Sequence, residues 1–512
     1  MLSEHLKIIL LNYQKTHGTK KIALKQCTEW GIINPTPLLF DNNEKSWIRG
    51  NNMKKKCDVL YIHSIKNPLK EVKQKYNYMP VGIIGILNDL KNRGIQVIGI
   101  NYGIEKEVNP DFNIDELLKS IEYKVLLTDL HWYEHSFGAM YVVKQSKNIK
   151  PKIPTVIGGY TSTIYAEEII ENFTEVDYIV TGDSDLPVRM LVDYLLKRNK
   201  VSLEDIPNLV YRQGEEKCKS TKSWVQTSLD EIDFVNTDCF EHEEYIPYVS
   251  TAGVNRKTSE RWICIARGCK FNCAYCCGAK DNMKDLFGRC DILLRSPKKV
   301  ALDFWELTEK NIYHISPSHD FQMFGKEYYK SVFEEIRKLN IKPGLYLECF
   351  QLPTKDFIDE MIKTFDKKRL ILVISPISGN ERVRKENGKI FSNDALYETV
   401  SYLLKNNIAM QLYYTENIYG ETEEEFMDTY FQMKYLRMMF GLKKNQLFYQ
   451  RIVIDPLAGM RKFKDIKVSY HSFMDYYNYC QSLEAQHVNA GFEDCGEVSR
   501  EKKMELYEAL FR

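Results

Sequence analysis

The stretch that decides the fold is Ile263-Cys264-Ile265-Ala266-Arg267-Gly268-Cys269-Lys270-Phe271-Asn272-Cys273-Ala274-Tyr275-Cys276-Cys277-Gly278, which contains the cysteine spacing C-x3-C-x2-C. With 13 cysteines in 512 residues, chance would produce this spacing in only about 1% of such chains. Three thiolates on one short loop can hold a four-iron cluster and leave one iron open to a small molecule. The loop therefore predicts a reactive iron-sulfur cluster held by Cys269, Cys273 and Cys276.

A structural zinc site is the alternative interpretation of these cysteines. Its fourth ligand would be Cys264, Cys277 or Cys290. A zinc knuckle would not need the alternation of strands and helices that follows the loop, so the pattern favours the cluster.

The cluster loop resembles the signature of the radical S-adenosylmethionine (radical SAM) enzymes, which reads C-x3-C-x-aromatic-C, with Tyr275 at the aromatic position. Its flanks, Arg267-Gly268 and Gly278-Ala279, resemble those of members that carry an N-terminal cobalamin-binding domain. The resemblance covers residues 57–455. It implies a 4Fe-4S cluster, S-adenosylmethionine (SAM) and cobalamin as cofactors.

Composition limits the classes of partner and compartment. The chain has 71 basic and 70 acidic residues, a balance that predicts no nucleic-acid partner and favours a small-molecule or peptide substrate. No apolar run approaches the roughly 20 residues that cross a bilayer, so we expect no membrane contact. An odd number of cysteines, several in predicted strands, is typical of a reducing compartment and predicts a cytoplasmic protein.

The predicted fold class is α/β. After an N-terminal extension over residues 1–56, a Rossmann-like, doubly wound parallel sheet is predicted over residues 57–200. A connector (201–258) leads to a radical SAM core (259–455) in the form of a partial (β/α)6 barrel, whose active site would lie at the carboxyl ends of its strands. A small helical cap over the barrel is predicted for residues 456–512.

Two elements of the first domain resemble the slot that holds the dimethylbenzimidazole tail of cobalamin. Thr128 and Leu130 form the element after the third strand, and Gly158 and Gly159 follow the fourth. Paired glycines let a flat ligand approach the backbone closely.

The cobalt ligand of cobalamin domains stands in the motif D-x-H-x-x-G, of which this chain keeps only the histidine, as His63. Because the acidic partner is missing, we expect cobalamin without a histidine on cobalt, and His63 as a polar residue at the strand end. The segment 129–138 adds His131 and His135. This segment either lines the cobalt face or substrate, or packs as a loop on the next helix.

Polar residues at the barrel's strand ends are candidates for SAM contacts. By resemblance, Ser375 and Arg384 would hold the methionyl carboxylate and ribose, since arginine offers a bidentate fork. Glu348 would contact a ribose hydroxyl or form a salt bridge at the rim. The turn Gly420-Glu421-Thr422 would lie beneath adenine.

The resemblance implies a cobalamin-dependent radical SAM enzyme that methylates an unactivated carbon through a 5′-deoxyadenosyl radical, with flavodoxin or ferredoxin as reductant. A cyclase or rearrangement enzyme without methyl transfer is one alternative, and a cofactor-binding sensor without turnover is another. Methylthio transfer to RNA is disfavoured, because the N-terminal half holds only Cys27, Cys57, Cys218 and Cys239, at no cluster spacing.

Overall fold

The structure is a computed structural model, and it describes residues 55–70, 78–214, 216–250, 253–254, 258–416, 418–452, 454–463, 466–482 and 498–511. The chain divides into two compact units, Met1–Asn52 and Met53–Arg512, and every described residue belongs to the second. Nearly all of the predicted N-terminal extension therefore lies outside the described residues. Among the described helices, none combines the length and apolarity needed to span a bilayer.

The first domain is built on a seven-stranded sheet. Its strands are β1 (Val59–His63), β2 (Val97–Asn101), β3 (Val125–Asp129), β4 (Thr155–Gly158), β5 (Tyr178–Val180), β6 (Leu209–Gln213) and β7 (Glu216–Lys219). The order in the sheet is β2-β1-β3-β4-β5-β6-β7, parallel through β5 and antiparallel beyond it. The first five strands thus have a doubly wound order, and the β6–β7 hairpin, which the sequence assigned to the connector, extends their sheet.

Helices cover both faces of this sheet. They are α1 (Val81–Asn92), α2 (Tyr102–Val108), α3 (Ile114–Ser120), α4 (Ser136–Ile149), α5 (Tyr160–Ile164), α6 (Ala166–Asn172) and α7 (Asp185–Leu195). Apolar residues of α1 and α7 pack with one set of strand side chains, and those of α4 and α6 pack with the other set. Because successive strand residues point to opposite faces, both sets of side chains are buried and the strands read as apolar runs.

The second domain is a six-stranded, fully parallel sheet. Its strands are β8 (Glu260–Ile263), β9 (His314–Pro317), β10 (Leu345–Cys349), β11 (Leu370–Ile377), β12 (Ala409–Glu416) and β13 (Leu447–Arg451), in chain order across the sheet. Its main helices are α8 (Lys280–Phe287), α9 (Pro297–Glu309), α10 (Lys326–Lys338), α11 (Lys355–Thr364), α12 (Glu381–Glu386), α13 (Asn393–Lys405) and α14 (Glu423–Phe440). The predicted α/β fold, with a partial barrel, is confirmed.

Capping residues determine where two of the barrel helices begin. The Ser296 side chain accepts from the Lys299 amide, with Pro297 in the first turn of α9. Thr422 and Glu425 form a capping box at the start of α14, and Gly441 ends it in the left-handed conformation. These capping residues lie next to the helix ends in the sequence, so local sequence determines where α9 and α14 begin.

The C-terminal helices attach to both domains. Helix α15 (Phe473–Ser482) packs on α4 of the first domain, and the Glu168 carboxylate accepts from the Phe473 amide at 2.7 Å. Helix α16 (Arg500–Ala509) packs on the barrel, where the Tyr507 hydroxyl donates to the Leu447 carbonyl at 2.8 Å. The predicted helical region over the barrel is therefore divided, with one helix on each domain.

Candidate active site

The cluster loop lies beyond the end of β8. The sulfur atoms of Cys269, Cys273 and Cys276 are partly exposed, and the Phe271 amide points at the Cys269 sulfur from 3.4 Å. Gly388 covers the loop with φ +93°, and a Cβ on it would come within 3.2 Å of the Cys273 sulfur. The chain thus leaves room for a group bound to the three sulfurs, and the residues fit the cluster predicted from their spacing.

A single zinc ion does not suit these cysteines. One ion would draw its ligand atoms to within about 4 Å of one another, since each Zn–S bond is about 2.3 Å long. Among the described residues, the one group of three metal-ligating side chains at such a spacing is His63, Asp129 and His135. Cys269, Cys273 and Cys276 do not form such a group, which favours a cluster with one cysteine per iron over a single ion.

Cys277 is held apart from the predicted ligands. It is buried, and its amide donates to the Asp455 carboxylate at 3.0 Å. Burial raises the pKa of the Cys277 thiol and that of the Asp455 carboxyl, the latter to about 6. Burial also raises the pKa of the predicted ligand Cys276, so the shifts do not distinguish the two thiols, and the dispensability of Cys277 stays a prediction from the cysteine spacing.

Two carboxylates of the first domain form ion pairs with arginines that precede and follow the predicted cluster ligands. The Asp185 carboxylate accepts from the Arg267 guanidinium at 2.6 and 3.0 Å, and Asp183 pairs with Arg289. Arg267 lies two residues before the first predicted ligand, Cys269. These paired charges are largely excluded from water, so each side chain stabilises the orientation of the other.

A cavity of about 360 Å³ opens beside the cluster loop at the carboxyl ends of the barrel strands. Its volume is within the range of small-molecule sites, so it has room for the cofactor the fold predicts. Three predicted residues, Tyr275, Glu348 and Ser375, are brought together in its wall. The remaining lining residues are Tyr346, Val373, Ile377, Tyr413, Tyr414, Thr415, Gln450, Arg451 and Ile452.

The cavity wall contains a buried carboxyl group with a raised pKa and a residue in the left-handed backbone conformation. Burial of Glu348 raises the pKa of its carboxyl, and the negative charge of Glu260 raises it further. The positive charge of Lys389 lowers it. Ile377 has φ +62°, in the left-handed region that β-branched residues rarely adopt, where the register of β11 on β12 shifts. Such an outlier stores strain at the mouth of the cavity.

Arg384 does not lie in the cavity. Its side chain is fully buried, and its guanidinium donates to the carbonyls of Ser378 and Phe391. The prediction that Arg384 holds a carboxylate is therefore not supported, because its guanidinium already donates to carbonyls on either side of its own helix, α12. The arginine in the cavity wall is Arg451, which the sequence analysis missed since nothing local distinguishes it from other strand-end arginines.

The carboxyl edge of the first sheet brings Thr128, Leu130, Gly158 and Gly159 together as predicted. The Thr128 hydroxyl donates to the Ile62 carbonyl at 2.8 Å, and Leu130 is fully buried. Gly159 has φ +120°, and a Cβ there would come within 2.8 Å of the Leu130 backbone. Gly159 is thus required because the loops after β3 and β4 approach each other too closely there for a side chain. Its role toward cobalamin stays a prediction.

His63 does have an acidic partner. Its Nδ1 lies 2.8 Å from a carboxylate oxygen of Asp129, which also accepts from the Tyr61 hydroxyl at 2.7 Å. The premise that His63 lacks an orienting carboxylate was therefore wrong, because the carboxylate comes from the neighbouring strand. Tertiary contact between β1 and β3 supplies what the motif lacks.

His131 and His135 belong to the same buried edge. Burial lowers the pKa of His131 to about 4 and that of His135 well below its usual value. The His131 ring contacts Trp132 and Tyr160, with centroids at 4.7 and 5.9 Å, and His135 lies in the turn that begins α4. His131 thus packs against Trp132 and Tyr160, whereas His135 packs against His63 inside the first domain.

The two domains meet at this edge. The Tyr160 hydroxyl donates to the Cys277 carbonyl at 2.6 Å, and the Tyr78 ring lies between Trp132 and Trp262, with centroids at 6.2 and 5.8 Å. Tyr160 directly follows Gly159, so the predicted cobalamin loop touches the cluster loop. Sequence patterns within either domain could not have revealed these contacts.

Comparisons with known proteins agree with this architecture. Residues 72–192 match the family described as the B12 binding domain. An uncharacterised methyltransferase of Pyrococcus horikoshii is 28% identical over 141 residues, which cover 27% of this chain and 28% of the relative. The chain thus aligns with little more than a quarter of that protein's length.

Two solved structures are similar across most of the chain. One is the radical SAM methyltransferase TsrM from Kitasatospora setae with cobalamin and a [4Fe-4S] cluster, with a TM-score of 0.57 and 12% identity over 80% of this chain and 74% of that chain. The other is the cobalamin-dependent radical SAM enzyme OxsB with aqua-cobalamin and SAM, with a TM-score of 0.50 and 11% identity over 83% of this chain and 55% of that chain.

The fold is therefore that of the cobalamin-dependent radical SAM enzymes. A region that matches the B12 binding domain precedes a partial barrel that carries C-x3-C-x2-C, so the resemblance predicted from the sequence is confirmed for the fold and for this domain.

Proposed function

We propose that this protein is a cobalamin-dependent radical SAM methyltransferase that methylates an unactivated carbon of a small-molecule or peptide substrate. The observation that carries the proposal is the contact between the cluster loop and the cobalamin edge, the hydrogen bond of 2.6 Å from Tyr160 to the Cys277 carbonyl. A radical alone needs no cobalamin, and methylation of a nucleophilic oxygen or nitrogen needs no cluster. Both loops at one junction favour radical methylation of carbon.

The cofactors, when bound, would supply the radical that abstracts hydrogen and the methyl group that replaces it. The chain's own residues would position them. Cys269, Cys273 and Cys276 would hold the cluster, and Tyr275, Glu348 and Ser375, which line the cavity beside it, would contact SAM. Thr128, Leu130, Gly158 and Gly159 would hold cobalamin at the facing edge.

The aromatic residues between the domains would shield the reacting carbon from water. Tyr78 bridges Trp132 of the first domain and Trp262 of the barrel, so aromatic rings fill the space between the two domains and limit the access of water. The junction is therefore suited to a reactive intermediate, which supports an enzyme over a passive cofactor carrier.

The decisive experiment is anaerobic incubation of the cluster- and cobalamin-reconstituted protein with reductant, a native small-molecule extract and SAM deuterated in its methyl group. We expect 5′-deoxyadenosine and S-adenosylhomocysteine to accumulate together with a product that carries the label. Converted product without label would establish the cyclase or rearrangement alternative. No substrate-dependent consumption of SAM with any reductant would favour the sensor.

The partners follow from the same proposal. The cluster requires a one-electron donor of low potential, for which flavodoxin or ferredoxin is suited, and the proposed compartment is the reducing cytoplasm. A nucleic-acid substrate is disfavoured by the balanced charge of the chain.

A further inference from the structure

A second group of metal-ligating side chains lies inside the first domain, apart from the cysteine loop. His63 ends β1, Asp129 ends the adjacent parallel strand β3, and His135 lies in the turn before α4. One ligand atom from each residue, a ring nitrogen or a carboxylate oxygen, lies within 4.8 Å of the other two. Three side chains from three elements thus converge on one point.

The group is buried, and one of its oxygen atoms lacks a partner. His63 and His135 are fully buried, and Asp129 is 5% exposed. One Asp129 oxygen accepts from Tyr61 and lies against His63, whereas Oδ2 has no hydrogen-bond partner among the residues that the structure describes. A buried carboxylate oxygen without a donor is costly, so this atom calls for a cation or a donor that the chain does not supply.

We propose that His63, Asp129 and His135 bind a divalent transition-metal ion of the zinc class, separate from the cluster and from the cobalt of cobalamin. Two imidazoles and one carboxylate are a ligand set that zinc and iron(II) favour over magnesium or calcium. The site adds a metal to the first domain that the proposed methyl transfer does not require.

The surroundings resemble the outer shell of protein metal sites. Tyr61, fully buried on β1, donates to the Asp129 carboxylate at 2.7 Å and fixes its orientation. Removing such a partner typically weakens metal affinity by about 10- to 100-fold. The rings of Trp132 and His135 pack against His63, with centroids at 6.4 and 5.0 Å, and limit the access of water.

The test is metal analysis of the full chain with its cluster and cobalamin in place, after Zn²⁺ is added and excess ion is removed by gel filtration. We expect one zinc per chain in addition to iron and cobalt. X-ray absorption at the zinc edge should show nitrogen and oxygen ligands without sulfur. This spectrum needs no variant, so it decides the question even if a variant fails to fold.

The variants give a second readout. Asp129→Asn and His135→Gln should lose the zinc, and Tyr61→Phe should bind it about 10- to 100-fold more weakly. The matched control is His131→Gln, which lies in the same segment but outside the group and should keep the zinc. Absence of bound zinc, sulfur in its coordination shell, or zinc retained in both ligand variants would each overturn the proposal.

The proposal fails separately from the methyltransferase function. If Zn²⁺ does not bind and paramagnetic resonance shows a nitrogen on cobalt that disappears in His63→Ala, then His63 belongs to cobalamin and the zinc site is wrong. Labelled methyl product would still form in that case. Conversely, zinc can bind as proposed in a protein that turns out to be a cyclase.

Discussion

The hydroxyl of Tyr160 donates to the backbone carbonyl of Cys277 at 2.6 Å. Tyr160 follows Gly159 on the predicted cobalamin loop, and Cys277 follows Cys276, the last predicted cluster ligand. The hydrogen bond therefore fixes the separation of the two cofactor loops at one point. The side-chain amide of Asn282, in the second domain, donates to the same carbonyl at 3.0 Å. Residues of both domains therefore hold the cluster loop.

Removing this hydrogen bond should uncouple the two cofactors. We expect Tyr160→Phe to retain its iron and to cleave SAM, but to form less methylated product per 5′-deoxyadenosine, since a neutral hydrogen bond contributes about 1 kcal/mol. The measurement is the product ratio by mass spectrometry. Tyr178→Phe on β5, away from the barrel, is the control and should leave the ratio unchanged.

The three predicted ligands should differ sharply from their neighbour Cys277. Single alanine variants at Cys269, Cys273 and Cys276 should lose iron and SAM cleavage, because a cluster with two thiolates is not retained. Cys277→Ala should keep both, since Cys277 lies outside the C-x3-C-x2-C spacing. Iron content and the visible absorption of the cluster give the comparison. Zinc in place of iron in the wild type would contradict it.

The interdomain ion pair should stabilise the fold. Asp185→Asn removes the nearer carboxylate of Arg267 and leaves only Asp183, at 3.4 Å, so we expect the free energy of unfolding to fall by about 2 kcal/mol, less than for a fully buried pair that loses its one partner. Chemical denaturation of the cluster-free protein measures it. Asp205→Asn, which breaks an exposed pair with Lys222, should have no measurable effect. Equal losses of unfolding free energy in the two variants would mean that the position of the ion pair between the domains does not contribute to stability.

Two arginines should separate cofactor binding from stability. Arg451→Gln removes the positive charge from the cavity wall and should weaken SAM binding by about 10- to 100-fold, the effect of one charge-assisted hydrogen bond. Arg384→Gln should lower the unfolding temperature and leave SAM affinity nearly unchanged, because its donors serve the Ser378 and Phe391 carbonyls. Anaerobic calorimetry distinguishes them, and the opposite result would restore Arg384 as the cofactor ligand.

Cobalt in the bound cobalamin should carry no histidine. His63 is fully buried, its Nδ1 lies against Asp129, and the Trp132 and His135 rings pack against it, so we expect it to keep these partners rather than bind cobalt. Electron paramagnetic resonance of the cobalt(II) form should show no nitrogen hyperfine splitting. A splitting lost in His63→Ala or His131→Ala would identify the ligand and refute the expectation.

The sequence by itself determined the features that depend on neighbouring residues. The spacing of Cys269, Cys273 and Cys276 predicted the cluster loop, and capping residues such as Ser296 and Thr422 set where helices begin. Periodicity distinguished strands from helices through both domains, because each pattern is a direct consequence of backbone geometry. The domain order and the barrel followed from these patterns together with the resemblance.

Only the tertiary structure decided which side chains from distant elements meet. Asp129 is 66 residues from His63, yet parallel pairing of their strands places them 2.8 Å apart. Arginine is a residue type that binds carboxylates, but the Arg384 side chain is buried and donates to the Ser378 carbonyl. Arg451, at the end of a strand, lines the cavity instead. Contacts between elements depend on packing and register, and packing joins residues whose sequence separation carries no signal.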